Sequence, residues 1–157
     1  MFATSTSKLE IAAEMLERGI ELYLRGDSYH SALHLAGAAE ELLNVHARSI
    51  KLDDGSWLAP SFDQTKTFLV RALAPTNEQE CKRAEKWAHD RLTDARNSVK
   101  HMRGTRDTHF MYDSEQEARD VIDRAVTTFL QVNVQLDRRL VSLIAAFDRA
   151  THGAGES

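Results

Sequence analysis

The sequence predicts an all-α protein, and three observations predict it. Gly and Pro are scarce, seven and two in 157 residues, so little interrupts a helix. Apolar residues recur three and four apart along most of the chain, the spacing that gives a helix one buried face. Helix-start signatures of the form Ser/Thr-x-x-Glu/Gln precede several of those stretches. No segment reads convincingly as a strand. A chain of this length is one domain with room for a single core. The expected architecture is an up-and-down four-helix bundle with an additional short helix, spanning 1–157, flexible at 1–6 and 151–157.

The elements follow in order. Ser7 with Glu10 opens a helix to Arg25, whose stripe is Leu9, Ala13, Leu16, Ile20 and Leu24, and Gly26 suits its C-terminal cap. A second helix runs from Tyr29 to about Lys51. Ala32, Leu35, Ala36, Ala39, Leu42 and Leu43 share its apolar face with His46. Its small residues Ala36, Ala38 and Ala39 would let a neighbouring helix approach. After a turn region over 52–61, a short helix covers Phe62 to Leu73 and stops at Pro75. Thr76 with Gln79 starts the fourth helix, to about Lys100, which buries Cys81, Ala84, Ala88, Leu92, Ala95 and Val99. A loop spans Met102 to Asp113. Ser114 with Glu117 then opens a last helix of about 35 residues, whose stripe runs from Ala118 to Phe147. At 1.5 Å per residue it would be roughly 50 Å long and would overhang, bend or pack on a second subunit. Asn133, inside its stripe, is placed to fix register between packed helices.

Composition excludes several classes of protein. One cysteine, Cys81, cannot form an internal disulfide and suits a reducing compartment. No apolar leader and no run of about 18 apolar residues is present, so the expectation is a cytoplasmic protein without a membrane span. The net charge is −4, yet it is unevenly spread. Between Lys82 and Arg106 eight Lys or Arg face three acids, a local +5 that leaves −9 for the rest. Such a segment is either an anion footprint or a solvated helix face threaded with i,i+4 pairs. There is no Gly-rich phosphate loop, no catalytic carboxylate pair and no CxxC, so the common enzyme motifs give no support.

The informative stretch is Asp94-Ala-Arg-Asn-Ser-Val-Lys-His101, late in the fourth helix. Arg96, Asn97 and His101 form R-N-x-x-x-H. Arg25…His30, Arg83…His89 and Arg103…His109 share the spacing, but only Arg96 has a polar neighbour after it. These residue types suit RNA cleavage without a metal. An imidazole is a proton acceptor for neutral pH, and a guanidinium forks onto phosphate oxygens at any working pH. On a regular helix Asn97 and His101 lie about 40° apart, whereas Arg96 and His101 lie about 140° apart. Arg96 and His101 therefore meet only if the helix ends before His101 or if two chains pool their motifs.

This motif resembles the signature of the HEPN domain family. The stretch Ser31-Ala-Leu-His-Leu-Ala-Gly-Ala-Ala-Glu-Glu-Leu-Leu43 is similar to the second helix of HEPN bundles, and the likeness extends from there to the last helix. The resemblance implies a metal-independent endoribonuclease, possessing no cofactor, that leaves 2′,3′-cyclic phosphate. His101 would be the general base, Arg96 the phosphate-stabilising cation, and Asn97 a hydrogen-bonding partner of His101 or of the substrate. Lys100, Arg103 and Arg106 would contact phosphates, and Phe110 and Tyr112 would stack on bases, although loop aromatics more often pin a loop to its bundle. It also implies a homodimer whose two motifs line one cleft, and a toxin held by a cognate antitoxin or nucleotidyltransferase. The alternative is a non-catalytic HEPN-like bundle that binds a nucleotide or partner protein through the Lys82–Arg106 face.

Two further features bear on the site. Glu40 sits at the edge of the second helix's stripe, where it can pair with Arg96 across the bundle and orient it. His30 and His34 form an HxxxH pair on the polar face, with no third ligand at tight spacing, so no metal site is assigned.

Overall fold

The computed structural model describes residues 5–101, 108–132 and 138–153. Among them are six helices: α1 (Lys8–Arg25), α2 (Tyr29–Ala47), α3 (Ser61–Ala72), α4 (Glu78–Ser98), α5 (Ser114–Gln131) and α6 (Arg138–His152). The β structure among the described residues is a lone antiparallel bridge, Lys51 to Trp57. The all-α class therefore stands, while the arrangement differs from four long helices and a short one.

Local chemistry sets most boundaries. Ser7 and Glu10 cap α1 reciprocally, and Gly26 closes it in a left-handed conformation, φ 66°. α2 stops four residues short of the expected Lys51. The Ser49 N–H and hydroxyl both take the His46 carbonyl, at 2.9 and 2.6 Å, and the Ile50 N–H takes that of Ala47, so the last turn tightens. α4 is capped by Asn77 and not by Thr76. The Asn77 side chain accepts from the Glu80 N–H at 2.9 Å. The Glu80 carboxylate in turn accepts from the Thr76 N–H and hydroxyl, at 2.7 and 2.8 Å. Asp113, one residue before Ser114, caps α5.

The core lies where α1, α2 and α5 meet. Leu16, Ile20, Leu33, Leu43, Ile122 and Phe129 are all fully or almost fully buried there. α1 and α2 approach closely at Gly19, where a Cβ would stand 3.3 Å from the Ala32 carbonyl oxygen and the Ala36 nitrogen. Of the small residues Ala36, Ala38 and Ala39, Ala36 lies at this approach. Its buried face is wider than its apolar stripe, because Leu33, Gly37, Glu40 and Asn44 are buried while Leu35, Leu42 and His46 are only partly so. A helix packed against α1 and α5, and touched by α4 at Gly37, is covered on more than one side. Cys81, expected inside, is partly exposed, since α4 reaches the body of the protein only from Ala84 onward.

The largest departure is at the C-terminal end, where the 35-residue helix is absent. α5 ends at Gln131, and the Val132 N–H returns to the carbonyls of Thr128 and Leu130. His152 of α6 then lies 3.6 Å from Asp123 of α5, residues that one straight helix would hold roughly 40 Å apart. α6 folds back and buries Leu140 and Phe147 in the same core, with Phe147 edge-on to Tyr23 at 5.2 Å. Arg139 grips Glu17, at 3.0 Å, and Glu21 on α1. Asn133 lies outside the described residues. Thr151 and His152, expected in a frayed tail, belong to α6, where His152 also meets Asp148 at 3.3 Å. No helix among the described residues is long and apolar enough to cross a membrane.

Candidate functional site

α4 carries the motif to the place where its own helical geometry ends. Its last residue is Ser98 and Val99 is the cap. The Asn97 carbonyl accepts from the N–H groups of Lys100 and His101, at 3.1 and 3.0 Å. His101 therefore stands just past the helix, and it is exposed. Asn97 meets His101 through this backbone bond, and the Asn97 side chain is partly buried.

Arg96 goes the other way. Its side chain is 10% exposed, and its Nη1 donates to Glu40 Oε2 at 2.6 Å. Glu40 is completely buried, and its other oxygen accepts from Arg124 Nε at 2.7 Å. One carboxylate thus joins a guanidinium from α4 to one from α5. Both guanidiniums lie over the Phe62 ring of α3, at 5.6 and 6.0 Å, where an aromatic face attracts a cation. The stem of Arg96 fits because residue 37 lacks a side chain. A Cβ on Gly37 would come within 3.2 Å of Arg96 Cδ and 3.4 Å of its Cβ. The expected Glu40–Arg96 contact is present. Arg124 was not foreseen, although an arginine between Ile122 and Ala125 on a buried stripe was the available signal.

Glu41 turns outward from the same turn of α2. Its carboxylate is 3.0 Å from Lys100 Nζ and 3.7 Å from Arg96 Nε. Most of the Lys82–Arg106 segment is similarly matched to acids. Lys82 pairs with Glu78, Lys86 with Asp90, and Arg91 with Glu117, at 2.6, 2.5 and 2.9 Å. The local surplus of basic residues is therefore largely neutralised where the side chains are described. Arg103 and Arg106 lie outside the described residues.

Beside the end of α4 opens a cleft of ≈ 450 Å³, lined by His30, Ser31, His34, Leu35 and Val99. His30 Nδ1 is 2.5 Å from the Tyr112 hydroxyl, and Phe110 packs on Tyr112 with ring centroids 4.9 Å apart. Burial, with the Glu117 charge added, raises the Tyr112 pKa. Among the described residues no group of three or more His, Cys, Asp or Glu is arranged to hold a metal ion.

No family model, curated protein or solved structure matches this chain.

Proposed function

We propose that the chain is a HEPN-like helical domain that engages RNA or a nucleotide at the end of α4 facing α2. The observation that carries this is the division of the motif. Arg96 is enclosed with Glu40, whereas His101 stands exposed beside Lys100 and a cleft walled by His30 and His34. Arg96 acts as a positioning group that fixes the end of α4, and the contacts to ligand come from Lys100 and His101. Lys82 and Lys86, roughly 20 Å or more back along α4 from Val99, contribute little to binding.

RNA cleavage is the second reading, and the early end of α4 favours it. His101 is free of the 140° separation that a continued helix would impose. In this reading His101 is the general base, a second copy of the chain completes the cleft, and a cognate antitoxin or nucleotidyltransferase restrains the activity.

One experiment addresses both. Binding of a labelled structured RNA is measured against salt concentration in EDTA, for wild type, Lys100→Ala, His101→Ala and Lys82→Ala, with products analysed for cyclic-phosphate ends. Loss of one phosphate contact lowers the slope of log affinity on log salt by about 1. Lys100→Ala should show that drop and Lys82→Ala should not. Equal drops for both lysines would place binding on the whole basic face and reject the local site. Cyclic-phosphate products that vanish in His101→Ala would establish the nuclease.

A further inference from the structure

We propose that the cleft between α2 and the end of α4 is a nucleobase subsite, with His30 as the hydrogen-bonding group and Tyr112 as the residue that positions it. The proposal rests on the preceding reading and names the part of the ligand that this cleft would take. Its volume, ≈ 450 Å³, lies in the range of small-ligand sites, about 300–1,000 Å³. Its walls combine two kinds of surface. Leu35 and Val99 offer apolar area to the face of a flat ring, while His30, Ser31 and His34 offer polar groups to its edge.

The His30–Tyr112 bond makes that polar wall directional. An exposed histidine is ordinarily free to exchange tautomers. In the proposed site the Tyr112 hydroxyl donates to Nδ1, which leaves Nε2–H as the donor to the ligand. A ring nitrogen or carbonyl oxygen of a base is an acceptor of the matching kind. Three rings, His30, Tyr112 and Phe110, continue outward from the cleft in successive contacts, at 5.7 and 4.9 Å between centroids. Phe110 is nearly half exposed, which leaves ring surface on which a neighbouring base can stack. Lys100 and His101 follow Val99 directly in the chain, so a cation and an imidazole for a phosphate adjoin the cleft. A base, an aromatic neighbour and a phosphate partner are the elements of a nucleotide, whether free or within a strand.

The test uses the full chain with AMP and with a short oligoadenylate RNA as probes. Imidazole nitrogen signals of His30 and His34 are followed by NMR, and affinities are measured for wild type, Tyr112→Phe and Phe110→Ala. The expected result is that AMP or the RNA shifts the His30 and His34 signals. Tyr112→Phe, which keeps the ring, should release the His30 tautomer and weaken binding several-fold. Phe110→Ala should weaken the RNA roughly ten-fold or more, and AMP much less, because only the strand brings a second base. AMP binding alone would identify a free nucleotide as the ligand, and RNA binding alone a strand. Binding that leaves both histidine signals unmoved would overturn the subsite while sparing the wider reading. If neither probe binds, both fail together.

Discussion

The two halves of α4 contain similar basic residues with opposite fates. In the first half Lys82 and Lys86 reach along the solvent face to Glu78 and Asp90, one turn away. In the second half Arg96 turns inward to a carboxylate 56 residues distant, and just past the helix Lys100, only 14% exposed, covers Glu41. The first arrangement follows from i,i+4 spacing and needs no tertiary structure. The second exists only once α2, α4 and α5 have come together. A count of basic residues gives both halves equal weight, although solvent screens one set of pairs and the interior encloses the other.

Three kinds of substitution sharpen that contrast. Glu40→Gln should have the largest effect, because it leaves two buried guanidiniums facing a neutral amide. Removing one partner from a buried ion pair costs about 3–5 kcal/mol, and chemical denaturation should find a loss of that order. A loss near zero would mean that solvent reaches the cluster and that Arg96 is not enclosed. Asp123→Asn should act in the opposite direction. Burial raises the Asp123 pKa, only partly offset by His152 and Arg119, so the folded state binds this proton more tightly than the unfolded state. The sign is then fixed: the cost of the charged form grows as pH rises from the ordinary carboxylate range through the raised folded value. Thermal melts should show the Asp123→Asn variant holding its advantage at neutral pH and losing it on acidification. An advantage that grew in acid would reverse the assignment. Lys82→Ala and Lys86→Ala should be the mildest, each changing stability by about 0.5 kcal/mol or less in a denaturation series.

Much of the local structure was legible because local signals dictate it. Ser7 with Glu10, Gly26, and the start of α2 at Tyr29 are encoded within a few residues of where they act. The Glu40–Arg96 pair was legible for a different reason, since a carboxylate beside an apolar stripe must find a cation. What periodicity could not reveal was the return of α6. The stripe from Ala118 to Phe147 keeps one phase across the break, and a stripe does not record direction. The same limit applied to α2, where Glu40 and Asn44 are buried by partners on flanks the hydrophobic pattern does not mark. In the basic segment the i,i+4 pairs could be read locally, but not the partner of Arg91, because Glu117 is supplied by another helix.

Glu40 has a consequence for how the protein comes apart. Its two oxygens hold α4 and α5, and the cations they hold rest on Phe62 of α3. Lifting α4 alone would take Arg96 from one oxygen of a buried carboxylate that only Arg124 then compensates, so partial detachment is penalised beyond the contacts it breaks. Amide protons in the second half of α4 should therefore exchange with those of α2 and α5 as one opening unit, while the first half of the same helix exchanges ahead of them. Arg96 and Asn97 lie on that slowly opening half, so the end of α4 should hold its place when the rest of the helix opens.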